Sequence, residues 1–214
     1  AYTAFYDLST TQIHTAKLNS WDLAFPTDND SLSVRLNTGK LMLAWQPQAG
    51  IEFPTNLPVN TTYNWRTDAP HGWADSTALW SWHEAGKTPS TGRTFVIDRG
   101  SLFHKDSTSR FRYLQILGRN AGSFEIRWAV WGSHEWATQS IPLDLNYTHT
   151  YFSFDSTGRT LLVAPPREQW DLCFTQYIFP FDELPPPGRW YLVRGALLNT
   201  SEGLQAAAVD SSNV

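Results

Sequence analysis

Trp170-Asp171-Leu172-Cys173-Phe174-Thr175-Gln176-Tyr177 is the stretch on which the reading of this chain turns. Its apolar residues recur at every second position, which is the period of a β-strand. Trp170, Leu172 and Phe174 fall on one side, and Asp171, Cys173, Thr175 and Tyr177 on the other. The same pattern stands near the start of the chain as Trp21-Asp22-Leu23-Ala24-Phe25. The segments that precede the two motifs also match, Phe5-Tyr6-Asp7-Leu8-Ser9-Thr10 against Tyr151-Phe152-Ser153-Phe154-Asp155-Ser156. The pattern reads as an internal duplication of a strand–turn–strand unit.

Further strands are expected at Tyr2–Leu8, at Ser33–Leu43 (bent at Asn37-Thr38-Gly39), at Ser76–His83 and at Arg93–Asp98. A hairpin is expected from Arg110–Leu117 and Ser123–Trp131. Its second strand alternates Phe124, Ile126, Trp128 and Val130 against Ser123, Glu125, Arg127 and Ala129. That pattern predicts one buried and one solvated face, as in an antiparallel sheet. Trp131–Pro142 reads as an irregular connection. His149–Asp155, Thr160–Val163, Gln169–Phe179, Trp190–Leu198 and a short piece at Gly203–Ala208 read as the later strands, with Asp182–Gly188 a stiff exposed loop. About a dozen strands without a helical period predict an all-β fold, an antiparallel sandwich or a strongly bent sheet.

Composition narrows the function classes. The 214 residues include 11 Trp, and aromatics reach 14%, which predicts an aromatic-lined pocket or surface beyond the core's own needs. A net charge of −4 argues against nonspecific nucleic-acid binding, which depends on a basic surface. The single cysteine, Cys173, excludes an intrachain disulfide and suits a buried apolar position. No apolar run is long enough to span a membrane as a helix. A chain that opens at Ala1 without Met is expected to be a processed or trimmed form, with any signal peptide or lipid anchor upstream. The enzyme templates fail: there is no Gly-x-Ser-x-Gly elbow, His-Glu-x-x-His helix, phosphate loop or Cys-x-x-Cys. The expectation is therefore a protein that is not an enzyme. Asp22 and Asp171 are expected to bond backbone at turns.

The duplicated motif in its context resembles the HmuY family of haem-binding surface lipoproteins of Bacteroidota. Tyr151-Phe-Ser-Phe-Asp, a gap, and Trp170-Asp-Leu-Cys-Phe-Thr-Gln-Tyr look like that family's opening. Val34-Arg-Leu-Asn-Thr-Gly39 resembles its strand ending in Asn and Gly. Thr94-Phe-Val-Ile-Asp-Arg-Gly100, Tyr113-Leu-Gln-Ile116 and Phe124-Glu-Ile-Arg-Trp128 look like its closing strands. Residues 1–131 thus resemble one HmuY-like β unit, and 149–214 a partial repeat packed on the same core. The resemblance implies a protein at the cell surface or outer membrane, lipid-anchored or secreted. It implies capture of haem for a TonB-dependent transporter or other outer-membrane complex.

Haem iron takes axial ligands such as neutral imidazole, with an apolar pocket over the ring. By position, the resemblance carries the ligand role to His83, after Trp80-Ser-Trp82 and ahead of the Phe95 strand, and to His71 in Ala69-Pro-His-Gly-Trp73. Trp73, Trp80 and Trp82 are the aromatic residues placed to stack on a porphyrin. Two other readings stay open: a surface lipoprotein without haem that docks on an outer-membrane transporter or secretion complex, and a carbohydrate-binding β-sandwich using exposed Trp.

Overall fold

The computed structural model describes residues 1–28, 31–47, 64–71, 74–84, 90–155, 157–181, 183–184 and 190–206. Those residues form 13 strands in three antiparallel sheets, and the fold is all-β. The strands are β1 (Tyr2–Tyr6), β2 (Ile13–Lys17), β3 (Leu23–Pro26), β4 (Arg35–Leu36), β5 (Leu43–Trp45), β6 (Phe95–Asp98), β7 (Phe111–Arg119), β8 (Ser123–Val130), β9 (Ala137–Pro142), β10 (His149–Ser153), β11 (Arg159–Leu161), β12 (Leu172–Pro180) and β13 (Trp190–Leu198). Sheet I has the order β13-β12-β1-β2, sheet II β11-β10-β3-β4 and sheet III β5-β6-β7-β8-β9.

The duplication is visible in the strand order. Each copy contributes a lead-in hairpin (β1–β2 or β10–β11) and a motif pair (β3–β4 or β12–β13). Each lead-in hairpin joins the motif pair of the other copy. The registers match: Phe5 pairs with Cys173 and Tyr6 with Leu172, while Tyr151 pairs with Ala24 and Phe152 with Leu23. Leu23 pairs with Leu36, and Leu172 with Leu198. Asp22 N donates to Phe152 O and Asp171 N to Tyr6 O, both at 2.8 Å. Asn37 Nδ2 bonds Leu18 O and Trp21 O, and Asn199 Nδ2 bonds Arg167 O and Trp170 O. The strands of 149–214 are therefore woven into sheets with those of 1–131. Asn199, one of four Asn-x-Ser/Thr sites, spends its amide inside the fold and is only 3% exposed.

Strand alternation sends the two faces of sheet II into two cores. Leu23, Phe25, Leu36, Phe152 and Phe154 pack against Met42, Phe95, Leu114, Phe124, Ile126 and Trp128 of the segment that carries sheet III. Ala24 and Tyr151 face Phe5 and Cys173 of sheet I. Burying each large apolar side chain is worth roughly 1.5–3 kcal/mol, so the sheet II–sheet III layer dominates the stability. Among the described residues sheet I has no such cover: Phe174 is 47% exposed where its twin Phe25 is at 0%.

Several local expectations change. Ser76–His83 is not a strand: 3-10 turns run over Ala74–Ser76 and Trp80–Trp82. The reason is tertiary, since Asp68 captures the Ala78 N–H at 2.7 Å and Trp82 Nε1 donates to Leu32 O at 2.8 Å. Ser33–Leu43 breaks into β4 and a 3-10 turn at Thr38–Lys40 that ends at Leu41 with φ 62°, and β5 then belongs to another sheet. Ala137–Pro142 is a strand rather than an irregular connection, and Ile13–Lys17 adds one more. Both are edge strands whose solvated sides hide an apolar alternation. Of the proposed last strand, residues 204–206 are not extended in a sheet, and 207–208 lie outside the described residues. Most of the Asp182–Gly188 loop also lies outside them.

Candidate functional site

The loop from Asn64 to Glu84 carries the histidines singled out by sequence. Asp68 anchors it: its two carboxylate oxygens accept the N–H groups of Leu36 (2.6 Å) and Ala78 (2.7 Å). Burial nonetheless pushes the Asp68 carboxyl up to about 6, against the pull of those two hydrogen bonds and Arg35.

His71 lies exposed beyond this anchor, with Nδ1 at 3.5 Å from Ser76 Oγ. His83 follows the second 3-10 turn and bridges to Ser90. Its Nδ1 is 2.8 Å from the carbonyl of Glu84, and its ring meets that of Trp82 edge-on at 4.8 Å. A carbonyl only accepts, so Nδ1 is the donor in this bond, and a neutral ring held this way has its lone pair on Nε2. Trp80 is 42% exposed, and the guanidinium of Arg66 sits 5.7 Å from its ring centre. Trp82 is at 1% exposure, packed on Phe124. It braces the site from within rather than presenting a face to a ligand. Trp73 lies outside the described residues. The structure thus gathers Trp80, Trp82 and His83 on one turn, while His71 belongs to the neighbouring loop with Ser76.

Two further groups escaped the sequence reading. Trp45, Trp65, Trp131 and Trp136 collect on the outer face of sheet III around Phe111 and Tyr113. Trp131 stacks on Tyr113 at 4.8 Å and 18°. The alternation in β8 marked that face as solvated, and its aromatic cover arrives from elsewhere in the chain. The second group is a cavity of about 280 Å³ between sheets I and II, lined by both duplicated tryptophans, Trp21 and Trp170, and by Thr148, His149, Tyr151 and Cys173. Burial pulls His149 down to about 3, with Arg35 and Arg167 adding to the effect, and pushes the Cys173 thiol up to about 12. The advance signals were the excess of Trp, which predicted an aromatic-lined pocket or surface without placing it, and the paired Trp motif itself. Ala69 and Pro70, just ahead of His71, also line this cavity.

No family model, curated protein or solved structure matches this chain. Among the described residues, no cluster of three or more His, Cys, Asp or Glu side chains is arranged to hold a bare metal ion.

Proposed function

We propose that the protein captures haem at the outer surface of the cell and delivers it to a TonB-dependent transporter, with His83 as an iron ligand. The hydrogen bond from His83 Nδ1 to the Glu84 carbonyl carries this reading. Histidines that bind metal are oriented by donating the other ring N–H to a carbonyl or carboxylate, which fixes the tautomer and raises the basicity of the ligating nitrogen. Neutral imidazole is a common axial ligand of haem. The donor chemistry of His83 fits the group. Trp80 offers a half-exposed aromatic face on the same turn, and Arg66 beside it supplies a cation for a propionate. His71 is the second ligand in this reading. When bound, the haem supplies the iron that these side chains hold, and the protein's part is to bind and release it. The lipid anchor and transporter belong to the same proposal, through the HmuY resemblance.

A hemin titration of the purified chain tests the reading. A saturable Soret band with low-spin α and β bands supports it. A flat titration overturns it and leaves the docking lipoprotein as the standing alternative.

A further inference from the structure

The two copies of the repeat bury one set of positions unequally. In sheet II, Leu23, Phe25, Leu36, Phe152 and Phe154 lie under the segment that carries sheet III, each at 3% exposure or less. Their counterparts in sheet I are Leu172, Phe174, Leu198, Tyr6 and Leu8. All five are still apolar or aromatic, yet Phe174 is 47% and Leu8 53% exposed, and the other three are only half-buried. Tyr2 and Ile13, at 65% each, extend the same face. An antiparallel sheet with one wet side alternates apolar with polar residues. Sheet I is apolar on both sides, which is the pattern of a sheet with a layer packed on each.

The strand registers lay this outer face out in rows. Ile13, Tyr6, Leu172 and Leu198 stand side by side in one row, and Thr15, Ala4, Phe174 and Ala196 in the next. One step further, Lys17 pairs with Tyr2 and Arg194 with Gln176, and both cations are exposed. At the opposite end the strands run into Asp7 and Asp171, whose carboxylates accept the N–H groups of Ser9 and of Leu8. At about 3.3 Å per residue, cations and carboxylates stand roughly 17 Å apart along the strands, with the apolar rows between them.

Such a face is complementary to itself. A twofold axis lying across the strands, along the Phe174 row, brings Lys17 and Arg194 of each copy over the Asp7 and Asp171 end of the other. An axis along the strands would set cations on cations, a costly arrangement. The area is also sufficient. Tyr2, Leu8, Ile13 and Phe174 alone leave on the order of 400 Å² of apolar surface open, within the range of the largest patch on a typical monomer. With the half-buried residues of the rows and the exposed flanks, the face reaches the ~800 Å² per partner of a standard interface.

We propose that the outer face of sheet I is the contact surface of a symmetric dimer, packed on the same face of a second copy of this chain with Phe174 near the twofold axis. The second copy supplies for sheet I the cover that sheet III gives sheet II, and the two faces stack about 10 Å apart as in a sandwich.

Sedimentation equilibrium of the full chain over a range of concentrations tests this. The wild type is expected to dimerise, and added salt to weaken the dimer severalfold by screening the end-to-end charge pairs. Phe174→Asp is expected to weaken dimerisation at least about 100-fold, with a thermal melt close to wild type because the side chain is half exposed in the monomer. If Phe174→Asp does not fold, Ala196→Arg burdens the same row from an exposed position and is expected to give the same loss. Leu162→Asp, at a residue 73% exposed just past β11 and away from this face, is expected to leave the dimer intact. A wild type that is monomeric throughout, as when a different protein covers the face, overturns the proposal. So does a dimer that survives Phe174→Asp and Ala196→Arg, as one paired through an edge strand would. The hemin response of Phe174→Asp is expected to match wild type, which keeps this test apart from the haem reading.

Discussion

Asp22 and Asp171 each close the opposite copy of the duplicated unit: Asp22 Oδ2 accepts the backbone N–H of Phe154 at 2.8 Å, and Asp171 Oδ2 that of Leu8 at 2.7 Å. The two are equivalent in sequence and in backbone role, yet their surroundings differ. Asp22 is at 0% exposure and also holds the Lys40 ammonium and the Arg99 guanidinium, the latter at 2.9 Å. Arg99 in turn reaches Asp155 at 2.6 Å. At the position of Lys40 the second copy has Glu202, and at that of Asp155 the first has Ser9. One copy became the ionic tie between sheets II and III, and the other stayed a backbone cap.

Substituting the two aspartates separates these roles. Asp22→Asn takes the carboxylate from the buried Lys40 ammonium and leaves Arg99 with Asp155 alone, and it is expected to cost about 3–5 kcal/mol. Asp171→Asn loses one charge-assisted bond at the surface and is expected to cost about 1 kcal/mol. Urea denaturation of both variants measures the difference. Burial alone would raise the Asp22 carboxyl, but Lys40 and Arg99 outweigh it and hold it below the ordinary carboxylate range. The contribution of Asp22 is therefore present above pH ~4 and lost as pH falls through its depressed native value.

Gly100 has φ 89°, and a Cβ there would lie 1.8 Å from the carbonyl oxygen of Lys40. Lys40 is the residue whose ammonium pairs with Asp22. Gly100→Ala is expected to cost at least about 3 kcal/mol or prevent folding, through backbone strain and displacement of a buried ion pair. Gly203 has φ 77° but open space around it, so Gly203→Ala is expected to cost only about 1 kcal/mol. Thermal melts of the pair check the contrast.

His149 controls part of the acid sensitivity. Its native pKa of about 3 lies below the ordinary value of 6.5. The unfolded chain therefore gains a proton that the folded chain refuses, and stability falls as pH drops from about 6.5 toward 3. Asp68 acts in the opposite sense. Its native value of about 6, against 3.8, makes the folded state gain stability as pH falls from about 6 toward 4. His149→Gln is expected to move the acid-unfolding midpoint down by removing the first effect. In the wild type, NMR should show the His149 ring unshifted between about pH 5 and 8, and a transition near 6.5 would contradict the burial.

For the haem reading, His83→Ala is expected to weaken hemin binding on the order of 100-fold and remove the low-spin bands. Trp80→Ala should weaken it about tenfold through lost ring contact. His71→Ala should convert six-coordinate spectra to five-coordinate. Optical titration of the three variants reads all of these, and an unchanged spectrum in His83→Ala excludes it as a ligand.

The period-two alternation in β8, β12 and β13 was legible because burial on one side of a sheet writes itself into every second residue. The duplication was legible because Trp-Asp-Leu-x-Phe recurs with its lead-in. The turns at Ala74–Ser76 and Trp80–Trp82 were not: their residues have strand composition, and it is Asp68 and Leu32, distant in sequence, that capture the Ala78 N–H and the Trp82 indole. Of the site residues, His83 was named from its place after an aromatic stretch. The bond that fixes its tautomer is a matter of backbone path. Thr148 and His149 carried no signal, since nothing local marks a strand start as the wall of a cavity.

By itself the sequence determined an all-β chain built from a repeated strand unit, because alternation and repetition are local properties. Only the tertiary structure decided that the copies exchange hairpins, that Asp22 is charged-paired while Asp171 is not, and that the paired tryptophans enclose a cavity. Those outcomes depend on which distant strands meet, and pairing energy between strands is set by the shared burial of faces that the chain brings together only on folding.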